Sequence, residues 1–168
     1  RPFLHYTEKK GKVVSVMFFR SIQKFDYPAV DGLLMQLHEV DREGRPDLFA
    51  PADHYFSRES FETLLENDNI IAFLAQEGLH VLGCCFVSLL DKSSDIPFKV
   101  AYIDLLVVDK DHRRRGIGKA MFREVRRRAR SLGAQKVELM VWSHNRPAVK
   151  AYESYGMTPQ RSIYEISV

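Results

Sequence analysis

A chain of 168 residues, 45% hydrophobic and 28% charged, has the size and balance of one globular domain with a substantial core. Its apolar runs, such as Ile70 to Ala75, are far too short to span a bilayer, which argues against a membrane protein. The formal net charge is only +3, yet ten of the 25 Lys and Arg fall between Lys110 and Arg130; Phe122 is the one aromatic among them, which argues against nucleic-acid binding.

The chain opens on Arg1 rather than Met and shows no secretory pattern. Residues 1–12 are polar and charged and read as a loose or added lead-in ahead of a single domain over residues 13–168. Val13 to Ile22, rich in β-branched and aromatic residues, predicts the first strand. Asp26 as N-cap and Pro28 in the first turn predict a helix from Pro28 to Asp41, with Leu33, Leu34, Leu37 and Val40 as its apolar stripe. Gly44 to Ala52, with Pro46 and Pro51, is a loop centred on Asp47-Leu48-Phe49. Ser57 then caps a second helix through Glu66 that turns Phe61, Leu64 and Leu65 inward.

Ile70 to Gln76 and His80 to Leu89 are apolar runs joined by the hairpin signal Glu77-Gly78-Leu79. Cys84 and Cys85 are adjacent in the second run, and strand neighbours point to opposite faces, so the two are poorly placed to pair. A reduced, cytoplasmic protein is the simplest reading. Lys99 to Val108 is the next strand. Ile117 to Leu132 predicts a helix with Ile117, Met121, Val125, Ala129 and Leu132 on one face and Gly133 just past its end. Lys136 to Trp142 is a strand reached by a right-handed parallel crossover. Asn145 to Tyr155, ended by Gly156, is the last helix, and Arg161 to Val168 the last strand.

The organising stretch runs from Asp104 to Ala120, where an apolar strand breaks into a charged turn and two glycines open a helix. The first N–H groups of a helix have no internal partner, and its dipole places partial positive charge there, so this order builds a phosphate cradle. Arg114 to Gly118 can present consecutive N–H groups, while Arg113, Arg114, Arg115 and Lys119 add charge. A Walker loop is excluded, because Arg113 stands where it needs Gly and Ala120 where it needs Ser or Thr. A dinucleotide fingerprint fails at Met121, where its third glycine belongs.

Arg113-x-x-Gly116-x-Gly118 after a hydrophobic strand closely resembles the acyl-CoA diphosphate loop of the GNAT superfamily of N-acetyltransferases, and the order of elements from Val13 onward is similar as well. The resemblance implies an α/β (α+β) GNAT fold, a mixed, mostly antiparallel sheet of roughly six or seven strands with about four helices on both faces. It implies acetyl-CoA as acyl donor, with the diphosphate on Arg113, Arg114, Arg115, Gly116, Ile117, Gly118 and Lys119. Backbone groups of Leu106, Val107 and Val108 would take the pantetheine arm like an added strand. A bulge in the family splays this strand from the next.

Asn145-x-x-Ala148-x-x-x-Tyr152-Glu153-x-Tyr155-Gly156-Met157 resembles the family's last motif. By that likeness Tyr152 is the general acid near the CoA sulfur; the plainer reading is a Tyr packed on the cofactor. Asn145 would contact pantetheine, act as an N-cap, or both, and Tyr155 reads as core. Asp104 lies in mid-strand, and alternation places it on one face with Leu106 and Val108. The family often has an acidic general base there, working through water; the alternative is an Asp that fixes a loop or contacts a substrate ammonium. No two of the six histidines lie within four residues, so no local metal-ligand pair exists. His112 reads as a hydrogen-bonding loop residue, and His144 as a surface histidine near the cleft.

The resulting expectation is an acetyl-CoA-dependent N-acetyltransferase in which the amine attacks directly in a ternary complex, since no Cys or Ser stands in a nucleophile motif. Asp41, Glu43, Asp47 and Asp53 make the acceptor segment acidic enough for a cationic amine, either a small molecule or a protein amine. The rival is a non-catalytic acyl-CoA-binding sensor or scaffold. Look-alike proteins are frequently dimers, so a homodimer fits the same reading.

Overall fold

The computed structural model describes residues 16–168. The expected lead-in and the beginning of the first strand, residues 13–15, lie outside them. The elements are β1 (Met17–Ser21), α1 (Tyr27–Gly44), α2 (Arg58–Leu65), β2 (Ile70–Glu77), β3 (His80–Lys92), β4 (Phe98–Val108), α3 (Ile117–Ser131), β5 (Lys136–Leu139) and α4 (Arg146–Ser154), with short 3-10 turns at Lys24–Asp26 and Lys110–His112.

Five strands form one sheet in the order β1-β2-β3-β4-β5. The first four are antiparallel neighbours, while β4 and β5 run parallel because α3 carries the chain back between them. Glu77 pairs with His80, so the β2–β3 hairpin closes through two residues with Gly78 at φ 57°.

Alternation gives the sheet two separate cores. Phe73, Cys85, Val87, Ala101 and Ile103 meet Ile117, Met121, Val125 and Ala129 of α3. On the other face Leu74, Cys84 and Phe86 meet Val30, Leu33 and Leu34 of α1 and Phe61 of α2. Leu132 falls past the end of the α3 stripe and is exposed. The two cysteines do face opposite ways, both free and fully buried.

Three further expectations are corrected. The sheet has five strands among the described residues, not six or seven, because Arg161 to Val168 forms no ladder. Its alternating pattern suits a strand, but no neighbouring strand takes its backbone, and Ile163, Tyr164 and Ile166 stay exposed. The strand expected to reach Trp142 ends at Leu139, where β5 leaves β4. Asp26 occupies the N-cap of α1 without capping it, since a cation draws its side chain elsewhere. Arg20 grips both carboxylate oxygens at 2.7 Å, and the Gln23 N–H adds a bond at 2.8 Å. Ser57 does cap α2, accepting from the Ser60 N–H at 3.1 Å.

Candidate active site

The phosphate cradle is built by the turn between β4 and α3. Asp109 leaves the sheet with its N–H on Leu82 O at 2.9 Å. Arg114 (φ 62°) and Gly116 (φ 78°) then adopt left-handed conformations, the backbone of an anion-binding nest. α3 makes its first internal bond from Ala120 N–H to Gly116 O at 3.0 Å. Among the described residues, no backbone carbonyl takes the N–H of Ile117, Gly118 or Lys119, nor those of Arg113 to Gly116. Arg114 and Lys119 are exposed and outside every ion pair of the described residues, whereas Arg115 meets Glu77 at 3.3 Å and Arg113 donates to Val108 O at 3.1 Å. Gly118 lies close under α4: a Cβ there would stand 3.0 Å from the Tyr155 hydroxyl.

Beside the cradle the sheet opens. β5 pairs with β4 only from Val100 to Ile103, so the backbone from Asp104 to Val108 is bonded to β3 on one side and has a free edge on the other. Within this stretch lies a bulge: Phe86 pairs with Leu105 and Val87 with Ile103, which leaves Asp104 as the extra residue. The bulge resets the alternation. Ala101 and Ile103 face the α3 core; beyond it Leu106 and Val108 do, while Leu105 and Val107 join the α1 core. Asp104 therefore does not share a face with Leu106 and Val108, as strict alternation implied. It turns to the α1 side, where the Ser88 hydroxyl donates to Oδ2 at 2.7 Å. Partial burial lifts the Asp104 carboxyl above its usual range, against the pull of the Ser88 hydrogen bonds.

Tyr152 approaches from the opposite face. Asn145 caps its helix, accepting from the Ala148 N–H at 3.3 Å. Tyr152 meets Tyr155 edge to face (6.2 Å between centroids), and Tyr155 leans on Phe122 of α3 at 5.3 Å. Burial, then the nearby Cys85 and Tyr155, pushes the Tyr152 phenol up to about 12. Cys85 pairs with Leu106 across the ladder and is also near enough to Asp104 to feel its charge. The two candidate proton-transfer groups thus flank the same stretch of β4 from opposite sides.

A third wall was not visible in the sequence. Tyr55, His38, Phe49, Trp142 and His144 form a chain of rings with successive centroids 6.3, 6.1, 6.0 and 6.1 Å apart. They come from α1, the loop after it and the segment beyond β5, so no local periodicity links them. His144 is half-buried rather than a surface residue. It stacks on Trp142 and presses on Gly44, where any Cβ would fall inside its ring, and its Nε2 is buried with no hydrogen-bond partner among the described residues. Arg45 lies over Trp142 at 5.3 Å and pairs with Asp47 and Glu165, both at 2.8 Å. Asp41, half-buried on α1, has its carboxyl raised by burial, with His144 and His38 opposing. The charges of Asp41 and Asp104 both reach Tyr55, whose phenol burial lifts first.

No helix of the described residues is long and apolar enough to cross a membrane, and no cluster of three or more metal-ligating side chains occurs among them.

The model of the acetyltransferase (GNAT) family matches residues 34–157. A search of the curated proteins finds no match. Among solved structures, a mutant of the BH1408 protein from Bacillus halodurans is 23% identical, with 90% of this chain and 99% of that one covered and a TM-score of 0.86. AAC(6')-Iy in complex with the bisubstrate analog CoA-S-monomethyl-acetylneamine is 19% identical over 92% of this chain and 99% of that one, with a TM-score of 0.72. Glucosamine-6-phosphate N-acetyltransferase from Arabidopsis thaliana is 20% identical over 91% and 98%, with a TM-score of 0.66. At these identities the likeness is one of fold.

Proposed function

The chain belongs to the acetyltransferase (GNAT) family, and from that premise we propose that it moves the acetyl group of acetyl-CoA onto a primary amine by direct attack in a ternary complex. One observation carries this reading. The N–H groups from Arg113 to Lys119, which no backbone carbonyl of the described residues takes, follow one short turn after the end of β4 whose edge β5 has left open. A diphosphate on the first and a pantetheine arm along the second lie in line, the arm adding its amides to the open edge as an extra strand does. The CoA-containing ligand of AAC(6')-Iy, on the same fold, supports it.

In this reading Asp104 removes a proton from the acceptor ammonium, directly or through water, and partial desolvation makes its carboxylate a stronger base than that of a fully solvated Asp. The amine nitrogen attacks the thioester carbonyl and a C–N bond forms. The C–S bond breaks and the departing thiolate takes the Tyr152 proton, while the second proton that the nitrogen sheds on becoming an amide passes through water to the phenolate and restores Tyr152. A phenol pushed up to about 12 stays protonated until that moment, and loss of water also makes a buried thiolate more basic. The chain's own thiols are fully buried and burial raises both, which supports direct attack over an acyl-enzyme. The aromatic wall with Asp41 suits a cationic acceptor.

Calorimetry with acetyl-CoA, followed by an amine screen read by thiol release, tests the proposal. Binding heat and amine-dependent CoA release are expected. Binding without release under any amine would instead favour a sensor, and no heat at all would overturn both readings.

A further inference from the structure

One side chain of α1 reaches the root of the phosphate cradle. The Gln36 Nε2 donates to Asp109 Oδ1 at 3.0 Å, and its Oε1 accepts from the Lys110 backbone N–H at 2.9 Å. The other oxygen of Asp109, Oδ2, meets His112 Nδ1 at 2.6 Å. Both ends of the amide and both oxygens of the carboxylate are therefore used. The geometry leaves no freedom in the amide's orientation, since the Lys110 N–H can only donate and must face the oxygen. Burial lifts the Asp109 carboxyl, but the bonds from Gln36 and His112 outweigh it and hold it below the usual range.

These bonds fall on the residues that join β4 to the nest. On the strand side the turn is tied by Asp109 N–H to Leu82 O and by Arg113 to Val108 O; on the helix side it is tied by Gln36. α1 itself does not need the contact, because Val30, Leu33 and Leu34 already bury its core face. Gln also suits the position chemically. Glu could accept from Lys110 but would set a second carboxylate against Asp109, and Ala would leave the Lys110 N–H and one Asp109 oxygen without this partner.

Building on the acetyl-CoA reading above, we propose that Gln36 is a positioning residue for diphosphate binding: it holds Asp109 and Lys110 so that the N–H groups from Arg113 to Lys119 converge on one anion. It touches no reacting atom and acts only through the cradle.

The test compares Gln36→Ala and Gln36→Glu with wild type for two probes, CoA by calorimetry and pantetheine, which lacks the diphosphate, by NMR line broadening. CoA affinity is expected to fall about tenfold in the Ala variant and further in the Glu variant. Pantetheine binding should stay near wild type, and the melting temperature should fall by only a few degrees, because water reaches the exposed Lys110 N–H. CoA affinities within twofold of wild type in both variants would overturn the inference. So would equal losses for CoA and pantetheine, which would mark general damage to the site. Failure of the enzyme reading looks different: wild-type protein then binds no CoA, and both proposals fall together.

Discussion

Ser88 in β3 donates a 2.7 Å hydrogen bond to Asp104 in β4, the residue that the bulge leaves without a partner on the neighbouring strand. In a regular ladder this position would face a fixed cross-strand neighbour among apolar residues. The extra residue instead turns the carboxylate to the α1 side, at the place where the sheet opens. Burial raises its proton affinity and Ser88 lowers it, so two opposed effects set one group.

Ser88→Ala removes a donor that favours the charged form, so Asp104 should titrate at higher pH. The acid limb of kcat/KM is expected to move up by about half a pH unit to one unit, with the plateau little changed. Asp104→Asn should lower kcat by about 10²- to 10⁴-fold across the whole range. A Ser88→Ala profile that superimposes on wild type would remove Asp104 as the titrating base.

Tyr152→Phe keeps the ring against Tyr155 and deletes only the acid. Turnover should drop about a hundredfold or more while CoA affinity stays within about twofold, by stopped-flow and calorimetry. Because burial holds the phenol near about 12, wild-type activity should not fall through Tyr152 ionisation at any pH normally assayed.

Gly118→Ala sets a methyl group 3.0 Å from the Tyr155 hydroxyl at the first turn of α3. A loss of about 1 kcal/mol in stability is expected, together with weaker CoA binding. Adding Tyr155→Phe takes away the atom in the way and should restore most of the stability. Urea unfolding of the single and double variants reads the coupling.

Asp26 is buried and gripped by Arg20 at two oxygens, and its carboxyl lies below the ordinary range: burial raises it, but the Arg20 and Gln23 bonds outweigh that. A depressed folded pKa stabilises the fold above the unfolded value near ~3.9 and loses that contribution as pH falls through the folded one. Arg20→Met should cost about 2–3 kcal/mol at neutral pH, under the full buried-pair range because Arg20 remains partly in water. The gap to wild type should close in acid. A gap that is constant from pH 7 to 3 by thermal unfolding would exclude the ion pair as its cause.

Asp41→Asn should raise KM about tenfold for diamines and leave neutral-tailed monoamines nearly unchanged, since Asp41 belongs to no ion pair among the described residues whereas Asp47 is paired with Arg45. Equal effects on both classes would remove Asp41 from acceptor selection.

Local signals read true wherever neighbours in sequence do the work. The Ser57 cap, the α3 stripe from Ile117 to Ala129, the opposed cysteines and the glycine loop before α3 all depend on residues within a turn or two of each other. Arg161 to Val168 failed for the complementary reason, because a strand exists only with a partner and alternation cannot supply one. The aromatic wall and the Gln36 contact likewise join segments far apart in the chain, and neither left a trace in spacing.

By itself, then, the order of residues determined where the helices and most of the strands lie, which faces are apolar, and that a basic glycine turn precedes a helix start. The tertiary structure alone decided that Asp104 occupies a bulge, that β5 parts from β4 after Ile103, and that Tyr152 packs on Tyr155 with its phenol near Cys85. Register is the physical reason. A bulge shifts every later side chain by one position, and that shift is set by what lies across the sheet.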